Sequence, residues 1–215
     1  MTRVRIGTRG SLLALAQSNW VKAQLEKNQP GLDVELQIIK TGGDRLLATP
    51  IQDLGGKGAF TKEIEEALLQ GEIDLAVHSL KDLPPQLPAG LAIAAVPQRE
   101  DARDVLVSRE KRTFAELPPG IRIGTGSLRR QAQLLHKRRD LSMLPIRGNV
   151  DTRLRKLDEG EVDALVMAAA GLKRIGRADR ISEYLADDVC VSAVAHGALG
   201  IESQTDGLAR EQVTF

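Results

Sequence analysis

The chain has 215 residues, which is long enough for one large or two small domains with buried cores. Hydrophobic residues make up 42% and charged residues 27%, as in an ordinary globular protein. The net charge is only +1, so the total is not strongly basic, and aromatic residues make up 2%, so rings for stacking on nucleic-acid bases are almost absent. Small anions are therefore the expected ligands.

The cysteine count and the hydropathy of the chain indicate its cellular compartment. Cys190 is the single cysteine, which excludes an internal disulfide. No apolar run approaches the roughly 18 residues of a membrane-spanning helix, and no N-terminal apolar segment resembles a signal peptide. We therefore expect a cytoplasmic protein that binds neither a membrane nor a metal ion.

Strand and helix patterns alternate along the chain, which favours α/β layers with mostly parallel strands. A short strand is predicted at residues 4–7. The turn Thr8-Arg9-Gly10-Ser11 follows, and Ser11 is placed to cap a helix from Leu12 to about Asn28. Residues 33–39 alternate polar and apolar side chains, as a half-exposed strand does.

A long irregular stretch occupies residues 41–58. Loops of this length in a compact domain are more often functional than accidental, and a mobile lid is one interpretation. Lys57 lies among three glycines, so its ammonium group could approach a ligand closely. A flexible, solvated lysine is the alternative.

Residues 60–70 have the spacing of an amphipathic helix, and residues 73–77 form an apolar strand that ends in His78-Ser79-Leu80-Lys81-Asp82. Asp82 is the best candidate for chemistry, because a carboxylate in such a carboxyl-end loop can stabilise a developing cation. The Lys81 ammonium would help to keep it ionised, and a solvated turn ion pair is the alternative. His78 alone is more typical of a core residue.

The most cationic segment spans residues 122–156, with ten lysines or arginines against two aspartates. Within it a β-branched run stops at a Gly-Thr-Gly turn and a helix begins. Helix N-termini attract anions, and here hydroxyl and guanidinium groups are added by Thr125, Ser127, Arg129 and Arg130. We predict a carboxylate or phosphate site; an ordinary serine cap followed by solvated arginines is the alternative.

The segment from Arg147 to Arg153 repeats this design, so three strand-to-helix turns combine arginine with glycine and a small polar residue. Loops at the carboxyl ends of α/β strands share one crevice, so we expect these arginines to converge on an interdomain groove. A crossing between domains is predicted near Pro97 to Asp101. Strands are predicted at residues 163–168 and 189–191, and a return crossing is predicted after them, at residues 194–202. Domain 1 would comprise residues 1–97 and 197–215, and domain 2 residues 98–196.

Six motifs, in the family's order, resemble porphobilinogen deaminase, also called hydroxymethylbilane synthase. They are Thr8-Arg9-Gly10-Ser11, Gly55-Gly56-Lys57-Gly58, His78-Ser79-Leu80-Lys81-Asp82, Gly124-Thr125-Gly126-Ser127-Leu128-Arg129-Arg130-Gln131, Arg147-Gly148-Asn149-Val150-Asp151-Thr152-Arg153 and Ala170-Gly171-Leu172-Lys173-Arg174. The resemblance implies a transferase of haem and tetrapyrrole biosynthesis that joins four porphobilinogens head to tail, with release of ammonia, on a dipyrromethane cofactor bound to a cysteine. It implies an α/β fold of two periplasmic-binding-protein-like (type II) lobes joined by a hinge of two crossings.

The resemblance also implies roles for individual residues. Asp82 would be a buried catalytic carboxylate that stabilises the electron-poor methylene-pyrrole left when ammonia departs. Guanidinium forks suit the acetate and propionate groups of the pyrroles. The side chains lining the substrate and cofactor cleft would be Arg9, Ser11, Lys57, Lys81, Thr125, Ser127, Arg129, Arg130, Arg147, Arg153 and Arg174.

Three departures from the family matter. We expect the family's third α+β domain, which carries the cofactor cysteine, to be absent, and we expect no covalent attachment at Cys190. Asp53 stands where the family has a basic residue, which would weaken carboxylate binding. Ala195-His196 replaces Gly-Gln at the return crossing, which would alter hinge motion or add a titrating group.

Two hypotheses remain open. The first is a shortened, impaired deaminase; the second is a non-catalytic two-lobed module that binds a pyrrole polycarboxylate or another small anion. Under both we expect a monomer that binds porphobilinogen or a similar small molecule. A separate polypeptide that supplies the third domain is left open.

Overall fold

The computed structural model describes residues 2–42 and 61–206. Its strands are β1 (Thr2–Thr8), β2 (Leu32–Ile38), β3 (Leu75–Ser79), β4 (Leu91–Ala95), β5 (Asp104–Ser108), β6 (Arg122–Gly124), β7 (Ser142–Leu144), β8 (Ala164–Ala168), β9 (Glu183–Tyr184) and β10 (Leu199–Gln204). The α-helices with bounds inside these residues are α1 (Leu12–Asn28), α2 (Lys62–Leu69), α3 (Leu128–Lys137), α4 (Val150–Asp158) and α5 (Ala169–Arg174). Short 3₁₀ turns span Leu80–Asp82 and Ala178–Arg180.

The chain divides into two compact units, each with its own five-stranded sheet. Unit 1 comprises Met1–Arg99 and Ala198–Phe215, and unit 2 comprises Glu100–Gly197. The backbone therefore passes from one unit to the other after Arg99 and returns after Gly197.

The sheet of unit 1 has the strand order β2-β1-β3-β10-β4. Strand β1 is parallel to β2 and β3, whereas β10 is antiparallel to β3 and β4. Helix α1 buries Val21 and Leu25 in one apolar cluster with Ile6, and α2 buries Ile64 and Leu68 in a second. These two clusters form the core of unit 1.

The sheet of unit 2 repeats this plan with the order β7-β6-β8-β5-β9. Strand β6 is parallel to β7 and β8, and β5 is antiparallel to β8 and β9. Successive side chains of a strand face opposite sides of a sheet. Accordingly Leu106 joins the cluster that contains Leu134 of α3, while Val105 and Val107 join the cluster that contains Leu157 of α4.

Most of the expected α/β elements are present, but the strands are less uniformly parallel than predicted. The exceptions are β5 and β10, each of which is the first strand after the chain enters its unit. Asp104 of β5 pairs with Ala168 at the end of β8, and Leu199 of β10 pairs with Ser79 at the end of β3. Because the entering strand starts where its neighbour finishes, it has to run in the opposite direction.

The N-cap of helix α1 and the segment at residues 189–191 test two local predictions. Helix α1 begins and ends as predicted, and the Ser11 hydroxyl accepts a hydrogen bond from the Ala14 N–H at 3.3 Å, which confirms the N-cap. The strand predicted at residues 189–191 is wrong. The N–H groups of Val189 and Cys190 both donate to the Ala186 carbonyl at 2.9 Å, so this segment closes a turn instead of joining a ladder.

Within residues 2–42 and 61–206, no helix combines the length and the apolar character needed to cross a membrane.

Candidate functional site

The turn between β6 and α3 is fixed by its own polar groups. Ser127 is the N-cap residue of α3, and its hydroxyl accepts a hydrogen bond from the Arg130 N–H at 3.4 Å, which confirms the predicted cap. The hydroxyl of the buried Thr125 accepts a hydrogen bond from the Ser127 N–H at 3.2 Å. At Gly124 a Cβ atom would lie 2.9 Å from Leu165 Cδ2, so a side chain there would have to displace its neighbour. The two hydroxyl groups therefore shape the turn itself.

Asp104, the first residue of β5, is fully buried beside this turn and binds both arginines that follow it. Its Oδ1 accepts hydrogen bonds from Arg130 Nε at 2.9 Å and Nη2 at 2.7 Å, and its Oδ2 accepts one from Arg129 Nη2 at 2.7 Å. Burial alone would raise the pKa of Asp104, but the charges and hydrogen bonds of Arg130 and Arg129 outweigh it and lower the pKa. One ionised carboxylate against two guanidinium groups leaves this Asp104 cluster with net positive charge.

The structure distinguishes two arginines that the sequence treats alike. The Arg130 side chain is only 8% exposed, and its Nη1 also donates to the Val166 carbonyl at 3.1 Å. The Arg129 side chain is 29% exposed, and its Nη1 contacts the Val191 carbonyl and, at 3.5 Å, Cys190 Sγ. Arg129 is therefore the member of the pair with more of its surface open to a ligand.

Cys190 belongs to the Asp104 cluster and is fully buried. Its thiol donates a hydrogen bond to Asp104 Oδ2 at 3.4 Å. Burial and the neighbouring carboxylate raise the pKa of the Cys190 thiol to about 11. Because the thiolate is the nucleophile, a thiol with this pKa is poorly suited to covalent attachment of a cofactor.

The turn that precedes α4 adjoins the turn that precedes α3. The Thr125 N–H donates to the Leu144 carbonyl at 3.0 Å, and β6 and β7 are parallel neighbours, so both turns leave the same edge of the sheet. Gly148 has φ +111°, and Arg153 Nε donates to its carbonyl at 2.8 Å. Arg147 is half-buried in this turn. Unit 2 thus brings together the two arginine turns that the sequence predicted within it.

Arg174, at the end of α5, contacts the backbone where the chain leaves unit 2. Its Nη2 donates to the Gly197 carbonyl at 2.6 Å, and burial lowers its pKa. The adjacent Lys173 forms an ion pair with Glu100 at 2.6 Å. These bonds tie α5 to both ends of unit 2, and a role of Arg174 in ligand binding remains a prediction.

In unit 1, the turn with Arg9 and the turn with Lys81 leave the same edge of the sheet, because β1 and β3 are parallel neighbours. Gln17 of α1 donates from Nε2 to Ser79 Oγ at 2.8 Å and so links the helix after the first turn to the strand before the second. Arg9 is half-buried and Lys81 is exposed. Unit 1 therefore brings the turns with Arg9 and Lys81 to one sheet edge.

Asp82 is exposed, whereas the sequence-based expectation was a buried carboxylate. It is the last residue of the 3₁₀ turn that begins at Leu80, and the Leu83 N–H donates to the Leu80 carbonyl at 3.3 Å. The Leu80 N–H in turn donates to the Ala198 carbonyl at 3.0 Å. The turn extends beyond the end of β3, so its last residue lies outside the core of unit 1.

Strands β3 and β10 and helix α2 each contribute one buried titratable side chain. His78 is 6% exposed, as expected of a core residue, and its Nε2 lies 3.0 Å from Oε2 of the fully buried Glu202. Glu65 of α2 is also buried, and burial, with the Glu202 carboxyl acting in the same direction, raises its pKa. No group of three or more His, Cys, Asp or Glu side chains suited to a metal ion occurs among residues 2–42 and 61–206.

Sequence reasoning missed Asp104 and Glu202. Each is an acidic residue next to an apolar run, at 105–107 and 198–201 respectively. A carboxylate inside an apolar strand needs a buried partner, so this pattern could have indicated both. Lys57 and Asp53 lie outside the described residues.

Comparison with known proteins places this chain in a family. The family model described as porphobilinogen deaminase, dipyromethane cofactor binding domain, matches residues 4–211. Proteins named porphobilinogen deaminase from Pelobacter propionicus and Geobacter sulfurreducens are each 56% identical to the chain, over 99% and 100% of it and over 69% and 68% of their own lengths. The one from Syntrophotalea carbinolica is 58% identical over 93% of this chain and 63% of its own length. The chain thus spans about two thirds of the length of these relatives.

Solved structures with low sequence identity share the fold. The probable amino-acid ABC transporter extracellular-binding protein ytmK from Bacillus subtilis matches 97% of this chain and 87% of its own with a TM-score of 0.55 and 9% identity. The regulatory domain of OxyR2 from Vibrio vulnificus matches 99% and 91% with a TM-score of 0.55 and 11% identity. These likenesses confirm the predicted periplasmic-binding-protein-like type II fold class.

Proposed function

The chain belongs to the porphobilinogen deaminase family, and we propose that it takes part in tetrapyrrole biosynthesis by joining four porphobilinogens into hydroxymethylbilane with release of ammonia. In this family the reaction uses a dipyrromethane cofactor. The observation that carries the proposal is the pair of adjoining arginine turns of unit 2, in a chain 56% identical to proteins named porphobilinogen deaminase over almost its whole length.

Substrate binding follows from charge. Porphobilinogen and its oligomers carry acetate and propionate groups, and guanidinium forks bind carboxylates through two parallel hydrogen bonds. We propose that the ligand is bound by Arg9, Ser11, Lys57, Lys81, Thr125, Ser127, Arg129, Arg130, Arg147, Arg153 and Arg174. Arg129, which lies beside the N-terminus of α3 with 29% of its side chain exposed, is the strongest member of this set.

Asp82 is the proposed catalytic residue. Loss of ammonia from porphobilinogen leaves a cationic methylene-pyrrole, and a carboxylate close to it stabilises that charge. The exposed position of Asp82 leaves it accessible to a ligand, and binding of a pyrrole chain would itself exclude water from the carboxylate.

The dipyrromethane cofactor fits part of this chemistry. Its carboxylates match the cationic groups of the Asp104 cluster and the Arg147 turn. When bound, it supplies the pyrrole unit to which the first substrate is joined. Cys190 does not suit its covalent attachment, because the thiol is fully buried and its pKa is raised to about 11. We propose that these 215 residues bind the cofactor through its carboxylates.

The organisation of the protein forms part of the proposal. We propose that domain 1 comprises residues 1–97 and 197–215 and domain 2 residues 98–196. We propose a cytoplasmic monomer; a reducing compartment suits a chain with one buried thiol.

The test uses the purified 215-residue polypeptide and porphobilinogen. We expect calorimetry to detect binding and an ammonia assay to detect slow release, with Arg129→Met weakening binding and Arg3→Met, at an exposed arginine, serving as the control. Binding without any ammonia release would support the non-catalytic alternative. Absence of binding would refute the proposal.

A further inference from the structure

The Asp104 cluster contains an acidic residue at a place where an anion is expected to bind. Asp104 is 0% exposed; its Oδ1 accepts from Arg130, and its Oδ2 accepts from Arg129 and from the Cys190 thiol. A carboxylate so close to an anion site repels the ligand. Its presence therefore needs a compensating reason.

The geometry offers that reason. Both terminal nitrogens of the Arg129 guanidinium group are held, Nη2 by Asp104 and Nη1 by the Val191 carbonyl, while 29% of the side chain stays exposed. Gln133 fixes the Val191 segment, because its Oε1 accepts the Val191 N–H at 2.8 Å. An arginine that is already ordered loses little rotamer freedom when a ligand binds.

We propose that Asp104 is a positioning residue for ligand binding: it holds Arg130 in the core and orients the partly exposed side chain of Arg129 for contact with a pyrrole carboxylate. This inference rests on the proposed function. Asp104 does not touch the ligand itself and acts through the two guanidinium groups.

The sign of one measured change separates positioning from simple electrostatics. Replacement of Asp104 by asparagine removes a negative charge, so if the arginines stayed in place an anion would bind more tightly. If Asp104 positions them, the arginines lose one of the two acceptor oxygens and face an NH2 donor in its place, so they shift and the anion binds more weakly. The two accounts predict opposite changes in Kd.

Unit 2 provides a matched control in Asp163. This carboxylate also binds two arginines, with Arg122 Nε at 2.9 Å and Arg109 Nη2 at 3.0 Å, but neither arginine belongs to the predicted site. Asp163→Asn removes the same charge from the same unit. It therefore reports the general effects of net charge and of a lost ion pair.

The experiment measures the Kd of porphobilinogen by calorimetry for the wild-type polypeptide, Asp104→Asn and Asp163→Asn, at a temperature at which circular dichroism shows all three to be folded. We expect Asp104→Asn to weaken binding by about tenfold or more and Asp163→Asn to change it by less than about twofold. Equal or tighter binding by Asp104→Asn would overturn the inference. Failure of the wild type to bind would instead refute the proposed function, and the inference would fall with it.

A second measurement covers the case in which Asp104→Asn does not fold. Nitrogen-15 relaxation of the guanidinium Nε–H groups in the ligand-free wild type reports their order on the fast timescale. We expect Arg129 and Arg130 to be as ordered as the backbone and clearly more ordered than the exposed Arg3. A mobile Arg129 guanidinium group would overturn the inference without any variant.

Discussion

Gly197 lies at the return from unit 2 to unit 1, and its replacement by alanine should be costly. Its φ is +84°, and an added Cβ would overlap the Glu100 carbonyl oxygen and lie 3.1 Å from that of Asp101. The clashing atoms belong to the backbone, and hydrogen bonds hold the two segments together. The Glu100 N–H donates to the Gly197 carbonyl at 3.1 Å, and Arg174 Nη2 donates to the same carbonyl at 2.6 Å. The clash cannot be relieved by rotation of a neighbouring side chain.

The magnitude follows from two contributions. A non-glycine residue at positive φ costs about 1 kcal/mol. Forcing atoms into a space already filled by backbone costs about 1–3 kcal/mol more. Gly176 is the matched control, because its φ is +69° but an added Cβ would meet nothing within 4 Å. We therefore expect Gly197→Ala to lower the free energy of unfolding by about 2–4 kcal/mol and Gly176→Ala by about 1 kcal/mol.

Urea denaturation followed by circular dichroism measures both values, provided that the m-value is unchanged between variants. Arg174→Met, made in both the wild-type and the Gly197→Ala background, would show whether the clash also disrupts the Arg174 bond, since coupled changes are not additive. Equal losses of stability for the two glycine variants would refute the reasoning, because they would show that only the positive φ matters at Gly197.

Three further predictions concern charge. The pKa of Asp104 is lowered in the folded protein, so its ionised carboxylate stabilises the fold above the unfolded pKa near about 4, and this contribution is lost as pH falls through the folded pKa. In the wild type the free energy of unfolding therefore falls below about pH 5. Asp104→Asn should make that fall less steep. Urea titrations at several pH values check this, and an unchanged slope contradicts it. The raised pKa and burial of Cys190 predict that iodoacetamide labels the native thiol far more slowly than the urea-unfolded thiol, as mass spectrometry would show; similar rates would contradict it. Asp82→Asn should lower ammonia release from porphobilinogen by about 10²-fold with a change in Kd of less than about threefold, whereas Asp33→Asn, at an aspartate paired with Arg3, should leave release unchanged.

The polypeptide of residues 1–215 should also turn over porphobilinogen slowly. A covalent anchor makes each addition to a growing chain effectively intramolecular, an advantage that can reach several kcal/mol. The single cysteine of these residues is buried, so an oligomer bound only through its carboxylates can diffuse away between additions. Uroporphyrin measured after acid oxidation gives the turnover. Turnover comparable to that of a full-length relative, with no loss in Cys190→Ser, would show that the anchor is dispensable.

Local sequence determined the features that depend on local chemistry. Ser11 and Ser127 are helix caps because the hydroxyl of a residue that precedes a helical segment can accept a backbone N–H three residues later. Amphipathic spacing indicated the helix α2, and apolar or alternating runs indicated the strands β1, β2, β3, β6 and β8. The six motifs indicated the family, which the match to residues 4–211 confirmed.

The tertiary structure decided what depends on distant residues. The strand predicted at residues 189–191 is a turn, and the run itself held no signal for the bonds to Ala186 that replace a ladder. The antiparallel strands β5 and β10 follow from where the chain enters each unit. Asp104 binds Arg129 and Arg130, which lie 25 and 26 positions away in sequence. The fold around this carboxylate buries Arg130 and leaves Arg129 partly exposed. Charge and motif select candidate residues from sequence, but burial and the partner across the fold decide which atoms remain open to a ligand.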